Sequence, residues 1–205
     1  TSSPKDLEIL ALNAYREGRL DEAAQAFTTA RQAFLAEGDE VKAAEMSSNL
    51  SVVHLKAERP NEALEAASGL PEVFTRYGEE TLAARAYGNL GSALEACGDL
   101  VGAEEAYRQA AELFTSLGDT EHHHYTMQSL SRLQLRLGRP LEALSTMQVS
   151  LDAQPRPSVR DRLIRRLLKL PNPENQMYLR VAKHISELSV EKLRSLAESL
   201  LDLSL

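Results

Sequence analysis

The chain has 205 residues, 43% of them hydrophobic but only 5% aromatic, with no Trp, one Cys and a formal net charge of −7. That is enough apolar material for a core, and the shortage of large side chains beside plentiful Ala and Leu disfavours a β-sandwich and points to closely packed helices. No apolar run reaches the roughly 18 residues of a membrane span, and the single Cys97 excludes an internal disulfide, so the expectation is a cytoplasmic protein without membrane insertion.

The opening TSSPKDLE lacks the basic and apolar segments of a signal peptide, although its first residue is Thr rather than Met, so trimming of an upstream segment is expected. Charge is unevenly spread. Residues 1 to 155 hold 13 Lys or Arg against 24 Asp or Glu, whereas the remainder holds 10 against 6, which makes the body acidic and the tail basic.

In chain order, the first predicted helix runs from Leu7 to Glu17 and stops at Gly18-Arg19. The second runs from Asp21 to Glu37, with Ala23, Phe27, Ala30 and Phe34 on one stripe. The next helix pair spans Val41 to Tyr77, its turn being Glu58-Arg59-Pro60, and the Gly69-Leu70-Pro71 inside its second helix predicts a kink or break. A third pair, the most regular, spans Thr81 to Gly118 with its turn at Gly98-Asp99, and a fourth spans Glu121 to about Asp152.

Ala153-Gln154-Pro155-Arg156-Pro157 ends this series, after which a short basic helix from Val159 to Leu170 and one or two helices between Glu174 and Leu203 are expected. The last has Ser189 as N-cap and Leu193, Leu196, Ala197, Leu200 and Leu201 on one face, suited to capping the end of a stack, to forming a homodimer or to folding back into the protein's own groove.

The four pairs share one period. Leu10, Leu50, Leu90 and Leu130 lie forty apart, as do Ala23, Ala63, Ala103 and Ala143, then Phe34, Phe74 and Phe114, and Gly38, Gly78 and Gly118. A fixed period of this size is the mark of a solenoid, because a helix pair can bury its apolar face only against its neighbours. Four repeats are therefore placed at about 5–38, 41–78, 81–118 and 121–153, with 154–205 as a basic linker helix and C-terminal capping helices.

The third repeat carries a family resemblance: AYGNLGSALEACGDLVGAEEAYRQAAELF resembles a tetratricopeptide repeat (TPR), with Tyr87, Leu90-Gly91 and Leu94 on the first helix and Ala103, Tyr107 and Ala110 on the second. Repeats of forty residues instead of the usual 34 resemble those of Pins-type spindle-orientation adaptors, kinesin light chains and bacterial peptide-sensing regulators of the Rap type. The resemblance implies an all-α, right-handed α-solenoid of four antiparallel helix pairs whose first helices line a concave face that binds peptides or protein segments.

On that face the expected peptide-binding residues are Asn49, Asn89, Arg85, Arg132, Arg136, Tyr125, Lys56 and Gln128, with Leu12 and Tyr15 of the first repeat also placed among the positions not used for packing. An Asn amide both donates to and accepts from a ligand main chain, and Arg pairs with carboxylates bidentately. The clamp that holds chaperone C-termini is not matched, since Glu8 and Leu12, or Ser48 and Val52, stand where it needs Lys and Asn.

Other clusters lead nowhere catalytic. His122-His123-His124 point about 100° apart on a helix and cannot converge on one tetrahedral metal, so a surface or inter-repeat role is expected for them, and Cys97 is read as a buried packing thiol. No Gly-rich phosphate loop and no Ser-His-Asp arrangement is present, and the basic segment from Arg156 to Lys169 lacks the interleaved aromatics of a nucleic-acid surface. The expectation is a non-enzyme without metal or cofactor, an adaptor for a protein or peptide ligand. The alternatives are a scaffold dimerising through its C-terminal helix and a peptide-sensing regulator.

Overall fold

A computed structural model describes residues 3–153 together with Arg162. Among them are nine α-helices: α1 (Pro4–Arg16), α2 (Leu20–Ala36), α3 (Glu40–Lys56), α4 (Pro60–Ala67), α5 (Leu70–Arg76), α6 (Glu80–Cys97), α7 (Leu100–Ser116), α8 (Thr120–Arg136) and α9 (Pro140–Asp152). The helices expected beyond residue 153 lie outside the described residues.

Local chemistry starts and stops each helix. Ser3 accepts from the Asp6 backbone N–H while Asp6 accepts from that of Ser3, a reciprocal box that opens α1. Asp39, Asp99 and Asp119 cap α3, α7 and α8 by accepting from the backbone N–H three residues on. Between helices the chain turns through a left-handed residue at each Gly of the ladder. The turns inside the helix pairs do the same at Gly18, Gly98 and Gly138, and between α3 and α4 their equivalent is Glu58, with φ 58°.

Packing follows the forty-residue period. Ala23, Ala63, Ala103 and Ala143 are at most 1% exposed, and Phe34, Phe74 and Phe114 at most 3%. A methyl-sized column lets consecutive helix axes approach, and the Phe column fills the wider end between repeats, each ring contributing about 2–3 kcal/mol by leaving water. The result is an α-solenoid of helix pairs in which α2, α4 with α5, α7 and α9 each pack back on their own first helix and, except α9, forward on the next.

The second repeat breaks where its sequence does. Ser68 is extended and Gly69 left-handed, so α4 ends at Ala67 and α5 restarts at Leu70 with Pro71 in its first turn, where a missing N–H costs nothing. Ser68 Oγ donates to the Leu64 carbonyl at 2.7 Å and so occupies an acceptor at the end of α4. Phe74 stays in the core at 1% exposure, so the interruption preserves the repeat length and the face that α5 gives to α6.

Candidate functional site

The first helices α1, α3, α6 and α8 form a wall knit together by side chains. Three contacts between consecutive first helices obey one rule, joining a residue to the one 41 positions later. Lys56 Nζ lies 4.5 Å from the centre of the Tyr15 ring, Asn89 Nδ2 donates to Ser48 Oγ at 2.9 Å, and Arg136 pairs with Glu95. Because the repeat is forty residues long, the extra residue records a constant offset between neighbouring first helices.

The wall is firmest at the third repeat. Gly91 is there for space: a Cβ built on it would lie 2.8 Å from two ring carbons of Tyr107, which α7 pushes against α6. The ring is buried, and its hydroxyl emerges at the wall, where it donates to Glu95 Oε2 at 3.0 Å and lies 3.2 Å from Ser92 Oγ. Burial, aided by the carboxylate of Glu95, pushes the phenol up to about 12 against the opposing bond with Ser92, so it remains a neutral donor. Glu95 therefore ties α7 to α6 through one oxygen and α8 to α6 through the other.

Around this tie the expected ligand contacts have different fates. Lys56 is engaged with Tyr15, Arg136 with Glu95, and Asn89 keeps only part of its amide for a visitor. Gln128 donates to His124 Nε2 at 2.8 Å. Arg132 donates to Ser129 Oγ at 3.0 Å, a contact without a counter-charge. Arg85 is exposed, Asn49 is half-buried, and Tyr125 is 58% exposed beside the ring of His124. Leu12 and Tyr15 pack on the first core cluster, which corrects their reading as residues free of packing duty.

The three histidines take separate places. His122 stacks on Phe114 with ring centres 5.2 Å apart and sets Nδ1 2.7 Å from the Asp119 carboxylate, bridging repeats three and four. His124 is buried inside the fourth repeat, where Nδ1 donates to Ser150 Oγ at 2.7 Å because Nε2 already accepts from Gln128; this corrects its assignment to the surface or to an inter-repeat seam. His123 is also buried, and burial first and the neighbouring His124 second hold its imidazolium below the ordinary 6.5. Cys97 is half-buried, its Sγ 3.7 Å from Asn61 Oδ1, and is not the fully enclosed thiol its place in the repeat suggested.

A depressed histidine favours the folded state only while it is neutral. The stability His123 contributes is therefore complete above pH 6.5 and is lost as pH falls from there through its folded value. Thermal unfolding followed from pH 7.5 to about 5 should show a falling midpoint, and His123→Leu should flatten that slope.

No helix among the described residues is long and apolar enough to cross a membrane. A tetratricopeptide-repeat family model matches residues 82–156. The matched stretch is similar to tetratricopeptide repeats. Two solved structures share the helical fold. A variant of a Podospora anserina kinesin light chain protein with nearly identical TPR-like repeats aligns with TM-score 0.72 and 13% identity over 95% of this chain and 99% of its own. BtubC (BKLC) from P. vanneervenii aligns with TM-score 0.64 and 22% identity over 84% of this chain and 68% of its own. No curated protein matches the chain.

The Gly91 and Tyr107 pair is a close approach between α6 and α7. What the sequence reading missed is that Tyr107, taken as a packing residue, also delivers a hydroxyl to the wall. The signal was available in Ser92 and Glu95, two polar residues one and four places after the Gly that admits the ring.

Proposed function

We propose that the chain is a non-catalytic adaptor whose first-helix wall, mainly in repeats two to four, holds an acidic peptide or helix of a partner protein. The observation that carries this reading is the pair of guanidinium groups at Arg85 and Arg132, neither of which has a carboxylate partner among the described residues. Five other arginines, Arg19, Arg59, Arg108, Arg136 and Arg139, do have carboxylate partners, while Arg16, Arg31 and Arg76 share the unpaired state of Arg85 and Arg132 among the described residues but lie outside the first-helix positions assigned to the ligand.

In this reading Arg85 and Arg132 take ligand carboxylates, Asn49 and the remaining valence of Asn89 take ligand main chain, and Tyr125 offers a ring for an apolar side chain. Lys56, Arg136 and Gln128 hold the wall in shape and touch the ligand at its margins. The TPR fold supports a role in protein interaction, and a reducing, cytoplasmic setting suits the lone Cys97.

Panning a phage-displayed random-peptide library on the chain should enrich acidic peptides. Asn89→Ala with Arg132→Ala should weaken capture by about 2–4 kcal/mol, the scale of losing a charged pair and a main-chain contact, without changing the monomer's sedimentation. Enrichment of basic or purely apolar peptides, or capture indifferent to both substitutions, would refute the assignment.

A further inference from the structure

The three seams between consecutive repeats use equivalent residues, and one seam departs from the other two. Leu50, Leu90 and Leu130 each cluster with the second helix of the preceding repeat. Leu50 finds Phe27 there and Leu130 finds Tyr107, and both are buried, at 7% and 4% exposure. Leu90 finds Ala67 in the same seat and stays half-buried. A methyl group takes less apolar area out of water than a ring, so the seam between repeats two and three is held more lightly at this point.

Charge draws the same distinction. Arg59 at the start of α4 pairs with Asp21 of α2, and Arg139 at the start of α9 pairs with Glu104 of α7, strapping the second repeat to the first and the fourth to the third. On the wall, Lys56 over Tyr15 and Arg136 with Glu95 span the same two seams. The equivalent of Arg59 and Arg139 at the start of α7 is Asp99, which caps its own helix. Asn61 stands 38 places before it, the separation at which Arg59 meets Asp21. Among the described residues no ion pair joins repeats two and three, whose side-chain hydrogen bonds, Asn89 to Ser48 and Cys97 to Asn61, are neutral.

The backbone supplies a third difference. α4 lays Ala63 and Ala67 against α6 and is cut from α5 by the extended Ser68 and left-handed Gly69. α5 is the firmly seated half, its Leu70 and Phe74 sharing a cluster with Ala44, Ala83 and Ala86. Repeat two therefore meets repeat three through a ring-filled contact at Phe74 and a lighter one along α4.

We infer that this seam is the hinge of the solenoid: α1–α5 and α6–α9 are two blocks that pivot about the Phe74 contact while α4 and α6 part. Asn49 stands on one block and Arg85, Asn89 and Arg132 on the other, so the opening sets the reach demanded of a visitor on the wall. That consequence rests on the proposed function, whereas the hinge does not.

Gln25, Glu65, Glu105 and Ser145 are exposed equivalents on the four second helices. Gln25→Cys, Glu65→Cys, Glu105→Cys and Ser145→Cys, taken in consecutive pairs in the full chain with Cys97→Ser, place spin labels across one seam at a time. Pulsed electron double resonance should give the widest distance distribution for the pair at 65 and 105. Asn61→Asp with Asp99→Arg supplies a strap at the spacing of Asp21 and Arg59 and should narrow that distribution to the width of the other two. Circular dichroism checks that each labelled chain keeps its helices. Equal widths at the three seams overturn the inference, and so does a folded, strapped chain whose width at 65 and 105 is unchanged. No wall ligand enters these measurements, so the hinge and the wall can fail separately.

Discussion

Tyr107→Ala should be among the most damaging single substitutions in the protein, lowering unfolding free energy by about 3–5 kcal/mol in urea titration. The ring is 3% exposed, lies between α6 and α7 and reaches Leu130 and Leu133 of α8, so its removal opens a cavity shared by two repeats. It also frees Glu95 and Ser92 from the hydroxyl they now share. Gly91→Ala attacks the same contact from the other side. Its methyl group has nowhere to go while the ring is in place, since the obstructing atoms belong to a buried ring tethered at its far end, and about 1–3 kcal/mol of overpacking is expected. The double variant should cost less than the sum of the two, because the smaller side chain at 107 makes room for the methyl at 91. Tyr107→Phe separates ring from hydroxyl, keeping the packing and losing only the tie to the wall, for about 1 kcal/mol.

Glu104 is the second sensitive point. It is 7% exposed, and its two oxygens accept from Arg108 of its own helix and Arg139 at the start of α9, the latter through two nitrogens at 2.8 and 3.2 Å. Burial raises the carboxyl's pKa, and the two guanidinium groups outweigh it, leaving the group below its ordinary 4.5. Glu104→Gln should cost about 1–3 kcal/mol in urea titration, less than a fully buried pair because both arginines are half in solvent. The sign with pH follows from a depressed carboxylate. Its contribution is complete above pH 4.5 and disappears as pH falls through the folded value. Acid should therefore loosen the fourth repeat in two windows, the first below pH 6.5 from His123 and the second below pH 4.5 from Glu104, and Glu104→Gln should remove only the second.

The sequence made the period plain because period depends on residue type alone. The Leu, Ala and Phe columns lie where packing demands them, and the interruption at Ser68-Gly69 was announced by Gly69 and Pro71. The side-chain ties of the wall were not legible in the same way. Asn89 to Ser48, Arg136 to Glu95 and Lys56 to Tyr15 depend on the offset between consecutive first helices, which a repeat of forty residues does not specify. The histidines illustrate the same point: their helical spacing excluded convergence on a metal, but only the packing of α9 decides that His124 meets Ser150 while His122 meets Phe114.

A wall with uncommitted guanidinium groups is the feature on which the functional account rests, and amide NMR tests it at residue level. Titrating the labelled chain with an acidic peptide selected by panning should shift the amides around Asn49, Arg85, Asn89, Tyr125 and Arg132 and leave those of α2 and α7 in place. Shifts gathered on α2 and α7, with that wall silent, would contradict the account.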